Sequence, residues 1–376
     1  MEAKDLYVPS GGEPSYATIQ AAIDRASDGD RILVGPGVYS ENLLFRGADT
    51  AIQLSGAGPT TTILEGNGTS SVVTFKGGET KDTIITGFTI RRGGGTNMAG
   101  GGVFCKDASP SILGNVIEQN VIQGSGNGLQ GFGGGLLLIN SNALVSRNVF
   151  RSNEAVVGGG IFALQGRPTI SGNVIYDNSA TRAGGIGVRG NARVWNNTLV
   201  RNAAEAGGHV NVIDGRPEIL NNIMSHAIRG GGVTFEHSSL TTLAWIAHNN
   251  LWANEGSDYV RGGEAVSLRG RWGNLAEDPL WVDLEQADFR LQEGSPCINE
   301  GSALGTELDL DFSGAPRLFS TRVDMGAHEF TGVINFPPIA EASSSIVISF
   351  SGAQVNLDAS KSLDPEGGVL TYSWKQ

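Results

Sequence analysis

The sequence predicts an all-β fold of the solenoid type, one chain wound repeatedly around an axis with short strands stacked from coil to coil. Three observations predict it. Asparagines at 115, 148, 173, 197, 222 and 249 recur every 24 to 27 residues in the central part, with 33 between the first two, where "IQGSGNGLQGF" is inserted. Glycine runs beginning near Gly101, Gly133, Gly158, Gly184, Gly207 and Gly231 each precede an apolar strand such as Val103-Phe104-Cys105 or Ile161-Phe162-Ala163. A second row, Asn120, Asn153, Asn178, Asn202 and Asn254, follows the first by five residues and fails only at Ala227. A fixed period of this size, with three short strands per unit, is the sequence form of a β-helical solenoid whose units stack and do not fold alone.

Taken in order, the chain opens on "SYATIQAAIDRASDG", where Ile19, Ala22, Ile23 and Ala26 fall at helical spacing behind Ser15 as N-cap and stop at Gly29. This short helix is the expected lid on the open end of the core. "RILVGPGVY" is the first strand and turn, and 1–44 forms the cap and first coil. The coils occupy 45–255, with "AIQLSGAG", "TTILEGNG", "VVTFKGG" and "DTIITGFTI" as less regular early strands. In each later coil the glycine run and strand lead to a turn, as in "GRPTI" and "GRPEI", then to a second strand and its asparagine. Asparagine tolerates the left-handed bend that such a corner needs, and stacked amides can satisfy one another along the axis. Residues 256–332 are C-terminal coils and a loop-rich cap, "NFPPIAEASSS" marks a linker at 333–342, and 343–376 alternates like strands.

Composition narrows the partners. With 38 acidic and 26 basic residues the net charge is −12, which opposes binding to nucleic acid and to anionic lipid. The 56 glycines show no Gly-X-Y period and mark turns. Cys105 and Cys297, far apart, are expected as two buried thiols. No apolar run reaches a spanning length, and "MEAKDLYVPSGG" has neither the basic start nor the apolar core of a signal peptide. A secreted form is therefore expected to have lost its leader, and a monomer is expected.

Three regions carry a family resemblance: "YATIQAAIDRASDGDRILVGPGVYSENLLF", the coils themselves, and "DPLWVDLEQADFRLQEGSPCINEGSA" with "VDMGAHEF". Over about 330 residues the sequence resembles the right-handed parallel β-helix proteins of the pectin-lyase-like class, notably bacterial surface and secreted proteins with such coils. The resemblance implies a right-handed parallel winding, an extracellular or cell-surface home, and a structural role for Asp324, Gly326 and Glu329. It does not fix a reaction, because the scaffold hosts many. "LDASKSLDPEGG" with "LTYSW" resembles the first half of an immunoglobulin-like module of the polycystic-kidney-disease type. Some 40 residues are too few to complete such a sandwich, so the natural protein is expected to continue beyond Gln376.

A long flat solenoid face suits a polysaccharide laid across several coils. A lyase needs a base and a cation that neutralises the substrate carboxylate, and a glycosidase needs two carboxylates. The outward row after each asparagine holds Glu118, Arg151, Tyr176, Val200, Ser225 and Trp252, and beside it stand Gln119, Ser152, Asp177, Arg201 and His226. Stacked strands lie about 4.8 Å apart, which groups Arg151, Tyr176, Asp177, Arg201 and His226 as a candidate anion-binding strip. A second cluster lies in the coil that departs from the pattern. If Val210 and Val212 are buried, His209 and Asn211 turn outward through a local bulge. Near them in sequence are Asp214, Arg216, His226, Arg229, Glu236 and His237, so three of the five histidines fall between 209 and 237.

The leading expectation is a polysaccharide lyase or glycoside hydrolase acting on an acidic glycan. His209, His226, Arg229, Glu236 and His237 are the catalytic candidates, with His209 or His226 as base and Arg229 and Arg201 holding the carboxylate. Arg151, Tyr176, Asp177, Arg201, Asp214 and Trp252 are the binding candidates. The alternative is a non-catalytic glycan-binding or structural surface module, and what separates the two is whether the 209–237 residues converge in a groove. No compact histidine spacing suggests zinc, while calcium held by aspartate and backbone oxygens is compatible with the chain although no motif places it. Trp195, Trp245, Trp252, Trp272 and Trp281 can stack on sugar rings or pack under loops.

Overall fold

A computed structural model describes residues 3–9, 14–45, 47, 50–96, 98–124, 128–237, 245–303, 310–318, 322–332, 343–344, 357–362 and 371. The chain divides into two compact units, Met1–Phe330 and Thr331–Gln376. In the second, the short strands Ser343–Ser344 and Leu357–Asp358 pair antiparallel. The linker expected at 333–342 and most of the module expected at 343–376 lie outside the described residues.

The first unit is an all-β, right-handed-type parallel solenoid of about nine turns and about 26 residues per turn, with one short helix. One coil shows how it is built. Leu136–Ile139, Leu144–Ser146, Val149–Arg151 and Glu154–Val157 each pair in parallel with the corresponding strand of the next coil, Ile161–Leu164, Thr169–Ser171, Val174–Tyr176 and Ser179–Arg182. These four positions define sheets 1 to 4, with ten, ten, nine and four strands among the described residues. The fourth sheet corrects the expectation of three strands per coil. It joins Gly94–Thr96, Val121–Gln123, Glu154–Val157 and Ser179–Arg182, where the chain beyond the second asparagine stays extended and finds a parallel partner.

Alternation along sheets 1 to 3 turns alternate side chains into the barrel, two on a sheet 1 strand such as Leu136 and Leu138, and stacks like on like. Leu136, Ile161, Ile186, Val210 and Val233 form one fully buried row, Val145, Ile170, Val194 and Ile219 another, and Ile117, Phe150, Ile175, Leu199, Met224 and Leu251 a third. Burial of each such side chain contributes about 1.5–3 kcal/mol, which is why a unit with polar turns and few charges holds together only when stacked.

The lid is helix Ile19–Arg25, with Ile19, Ala22 and Ile23 buried. Its N-cap is Thr18 and not Ser15: the Thr18 hydroxyl accepts from the Ala21 amide, and the Glu41 carboxylate accepts from the Ile19 and Gln20 amides. Ser15 instead bridges Tyr7. The first strand is Asp5–Val8, which pairs with Arg31–Val34 and buries Leu6 and Val8.

The asparagine ladders exist, with one correction. The left-handed residue is the one before the asparagine, or before Ala227 where the second row fails: Arg147, Asn196, Asn221 and His248 in the first row, and Gln119, Ser152, Asp177, Arg201, His226 and Ala253 in the second, all have φ between 51° and 58°. The bend directs the next side chain inward, where its amide bonds both backbone and neighbour. Asn173 Nδ2 donates to Val145 O and to Asn197 Oδ1, and the Asn173 amide donates to the same Oδ1. The first ladder runs from Asn115 to Asn249 and on to Asn274, one coil past the point where the period is lost in the sequence.

Candidate functional site

His209 is fully buried, contrary to the expectation that it turns outward. Val210 pairs with Ile186, so His209 stands where the preceding coil has Gly185. Its ring occupies the gap that Ala227 leaves in the second ladder: Nδ1 lies 3.2 Å from Asn202 Nδ2 and Nε2 lies 3.0 Å from Asn254 Oδ1. An amide donor on one side and a carbonyl acceptor on the other select the neutral tautomer protonated on Nε2. Burial pushes the imidazole pKa down to about 4. A group so enclosed meets no substrate, and His209 is a rung of the ladder.

The strip along the edge of sheet 3 forms in the expected register, Glu118 beside Arg151, then Tyr176, Val200, Ser225 and Trp252. Its cations are already engaged. Arg151 donates through Nε to Glu118 at 2.7 Å and through Nη1 to the Tyr176 hydroxyl at 3.0 Å. Arg201 holds Asp177 through two bonds of 2.9 and 3.0 Å and donates to Leu284 O at 2.6 Å. The C-terminal cap covers the adjoining face: Val174, Val200 and Ile223 pack with Trp281, Phe289, Leu291, Cys297, Met325 and Ala327. Trp281 Nε1 donates to Ser225 Oγ, and Phe289 meets Tyr176 edge to face. His226 joins the strip half-buried, its Nδ1 enclosed without a hydrogen-bond partner, and burial lowers its pKa, with Asp278 opposing that shift. Trp252 is partly exposed at the end of the row.

The other candidates stand at the surface. Arg229 is exposed and bridges Ala203, His237 is exposed after the strand Val233–Phe235, and Asp214 is exposed with Oδ1 accepting from the Gly215 amide. The predicted bulge occurs, but at Ile213: Arg189 pairs with Asp214.

What the coil at 207–236 assembles is a polar site on the outer face of sheet 1. Asn211 faces out in register with Gly187 and Thr234, and it is nonetheless fully enclosed. Its Nδ2 donates to Glu236 Oε1 at 2.9 Å, and Arg182 of sheet 4 donates to the same oxygen at 3.2 Å. The Thr234 hydroxyl accepts from the Gly207 amide. Asn211 Oδ1 is buried without a hydrogen-bond partner, and such a group costs stability unless something bonds it. Of these residues the sequence pattern singled out Glu236 for chemistry. Arg182 was missed because it belongs to the fourth strand, and the signal that could have found it is the alternation of "SATR" after Asn178.

Among the described residues no group of three or more His, Cys, Asp or Glu side chains converges to hold a metal ion. Cys105 and Cys297 are buried free thiols, as expected, and burial raises both to about 12. Asp324 and Glu329 have structural partners: Asp324 accepts from the Asn299 and Phe330 amides, and Glu329 accepts from Arg317 and from the Asp324 amide.

Residues 45–254 match the family described as "Protein of unknown function (DUF1565)". No curated protein matches the chain. Among solved structures, pectate lyase Pel9A is similar at 15% identity, over 88% of this chain and 97% of that one, with a TM-score of 0.38. Pectin methylesterase from carrot is similar at 13% identity, over 73% and 88%, with a TM-score of 0.35. The A-module of the mannuronan C-5 epimerase AlgE4 of Azotobacter vinelandii is similar at 14% identity, over 73% and 100%, with a TM-score of 0.25. Likeness at this level says nothing about activity.

Proposed function

The chain belongs to the DUF1565 family of proteins of unknown function, and we propose that it is a polysaccharide-binding β-solenoid that holds its ligand without turning it over. The observation that carries this reading is the Asn211 site. The Arg182 guanidinium and the Glu236 carboxylate, 43% and 24% exposed, stand side by side on the outer face, with the enclosed Asn211 amide behind them holding Glu236 in place, and such a donor and acceptor complement the hydroxyl groups of a sugar. Three of the groups on which turnover would rest are occupied elsewhere, His209 in the ladder and Arg201 and Arg151 in ion pairs with Asp177 and Glu118. A lyase built on His209 is thereby set aside in favour of the binding module.

An extracellular or cell-surface location and a monomeric state belong to the same proposal. No helix among the described residues is long and apolar enough to cross a membrane. The reading calls on no calcium, since the Arg182 cation already bonds the Glu236 carboxylate.

The test is affinity electrophoresis of the folded protein through gels holding single pectic, alginate, glycosaminoglycan or neutral polysaccharides. Retardation by at least one, weakened in Asn211→Ala with unchanged circular dichroism, is the expected result. Equal retardation of Asn211→Ala would remove the site from the account.

A further inference from the structure

At the N-terminal end of the same outer face, sheet 1 brings two cations together. Val103, Phe104 and Cys105 pair with Val73, Thr74 and Phe75, so Lys76 and Lys106, the next residues in each coil, stand side by side. Val73, Phe75, Val103 and Cys105 are fully buried, and alternation therefore turns Thr74, Lys76, Phe104 and Lys106 outward. Both lysines are exposed. Neighbouring strands lie about 4.8 Å apart, and like charges directly opposite destabilise a sheet.

The nearest carboxylates in sequence are directed elsewhere and pair with neither lysine. Glu79 is buried and accepts from the Gly47 and Gly77 amides, and Asp107 accepts from Asn140 Nδ2. Among the described residues neither lysine forms an ion pair. In a chain of net charge −12, a like-charged pair held in register without an ion-pair partner is a place for an anion.

Beside the pair lies a cleft of about 380 Å³ lined by Thr74, Lys76, Met98, Phe104 and Leu129 together with Ser71. Phe104 and Leu129 pack on the apolar cluster of Leu137, Val157 and Phe162, which makes the floor rigid. An apolar floor, the Thr74 hydroxyl at the rim and a cation at one side match the apolar face, the hydroxyls and the acidic group of a charged sugar.

We propose that this cleft is a subsite for an anionic sugar residue of a polysaccharide, with Phe104 and Met98 under the ring and Lys76 and Lys106 on its carboxylate or sulfate. The inference rests on the polysaccharide-binding reading and names the ligand class and a second contact. Phe104 is four coils from Asn211 along one row, Phe104, Leu137, Phe162, Gly187 and Asn211, which is about 19 Å at the strand spacing.

The test measures binding of the whole chain to oligogalacturonate, dextran sulfate, unmodified dextran and polyglutamate by calorimetry, for the native protein and for Lys76→Gln/Lys106→Gln. The expected result is tighter binding of oligogalacturonate or dextran sulfate than of dextran, and a loss of about tenfold or more in the double variant. Which of the two charged glycans responds tells carboxylate from sulfate. Unchanged affinity of the double variant for both, or polyglutamate bound as tightly as the charged glycans, would overturn the inference. Binding of dextran alone would overturn it and leave the binding function standing, whereas binding of no glycan at all would remove both.

Discussion

An alanine at 227 takes away the donor and acceptor that other coils supply at that rung, and His209, standing where the preceding coil has Gly185, returns both. The exchange can be reversed. His209→Gly alone leaves Asn202 Nδ2 and Asn254 Oδ1 each short of a partner beside a new cavity, at a cost of about 2–4 kcal/mol. Adding Ala227→Asn restores the regular rung, so urea midpoints should fall in the single variant and largely recover in the double. Acid reads the same residue. Burial lowers His209 from 6.5 to about 4, so between those values the unfolded chain takes up a proton that the folded chain refuses. Stability is full above the unfolded value and falls as pH drops through the window, by about 3 kcal/mol in all. Urea midpoints measured across the window should lose this portion of their slope in His209→Gly/Ala227→Asn. The sequence shows both departures from the pattern, at 209 and at 227, but as separate events. Their meeting depends on the ring reaching across the coil, which linear spacing does not show.

At the scale of elements, the strip on sheet 3 and the C-terminal cap are fastened by charges of unequal worth. The Arg317–Glu329 pair is 2.7 Å long with side chains 3% and 2% exposed, and Arg317 also donates to Gly326 O. Breaking it by Arg317→Met leaves a buried carboxylate, and a loss of about 3–5 kcal/mol is expected. The cap should then become sensitive to limited proteolysis between 281 and 330 before the coils do. Arg151 is 44% exposed in its pair with Glu118, so Arg151→Gln should shift the urea midpoint by less than about 1 kcal/mol. The register of this strip was legible because Arg151, Tyr176 and Arg201 hold fixed places after their asparagines. Its saturation was not, because Leu284 and Phe289 arrive from more than eighty residues downstream.

Across the whole molecule, the coil period and the inward rows could be read from sequence because each coil repeats one apolar residue per strand at one offset from a buried amide. The fourth sheet escaped because Gly94-Gly95-Thr96, Val121-Ile122-Gln123 and Glu154-Ala155-Val156-Val157 share no residue type at paired positions such as Gly94, Val121 and Glu154, only an extended backbone. That sheet brings Arg182 to Glu236 and closes over Asn211, and so the candidate site was only partly legible, through Glu236. The most direct test of binding without turnover is prolonged incubation of the protein with each glycan it retards, followed by reducing-end and ultraviolet analysis of the products. The account predicts intact polymer, with calcium or with chelator. New reducing ends, or the absorbance of unsaturated uronates, that disappear in Glu236→Gln would contradict it and make Glu236 a catalytic group.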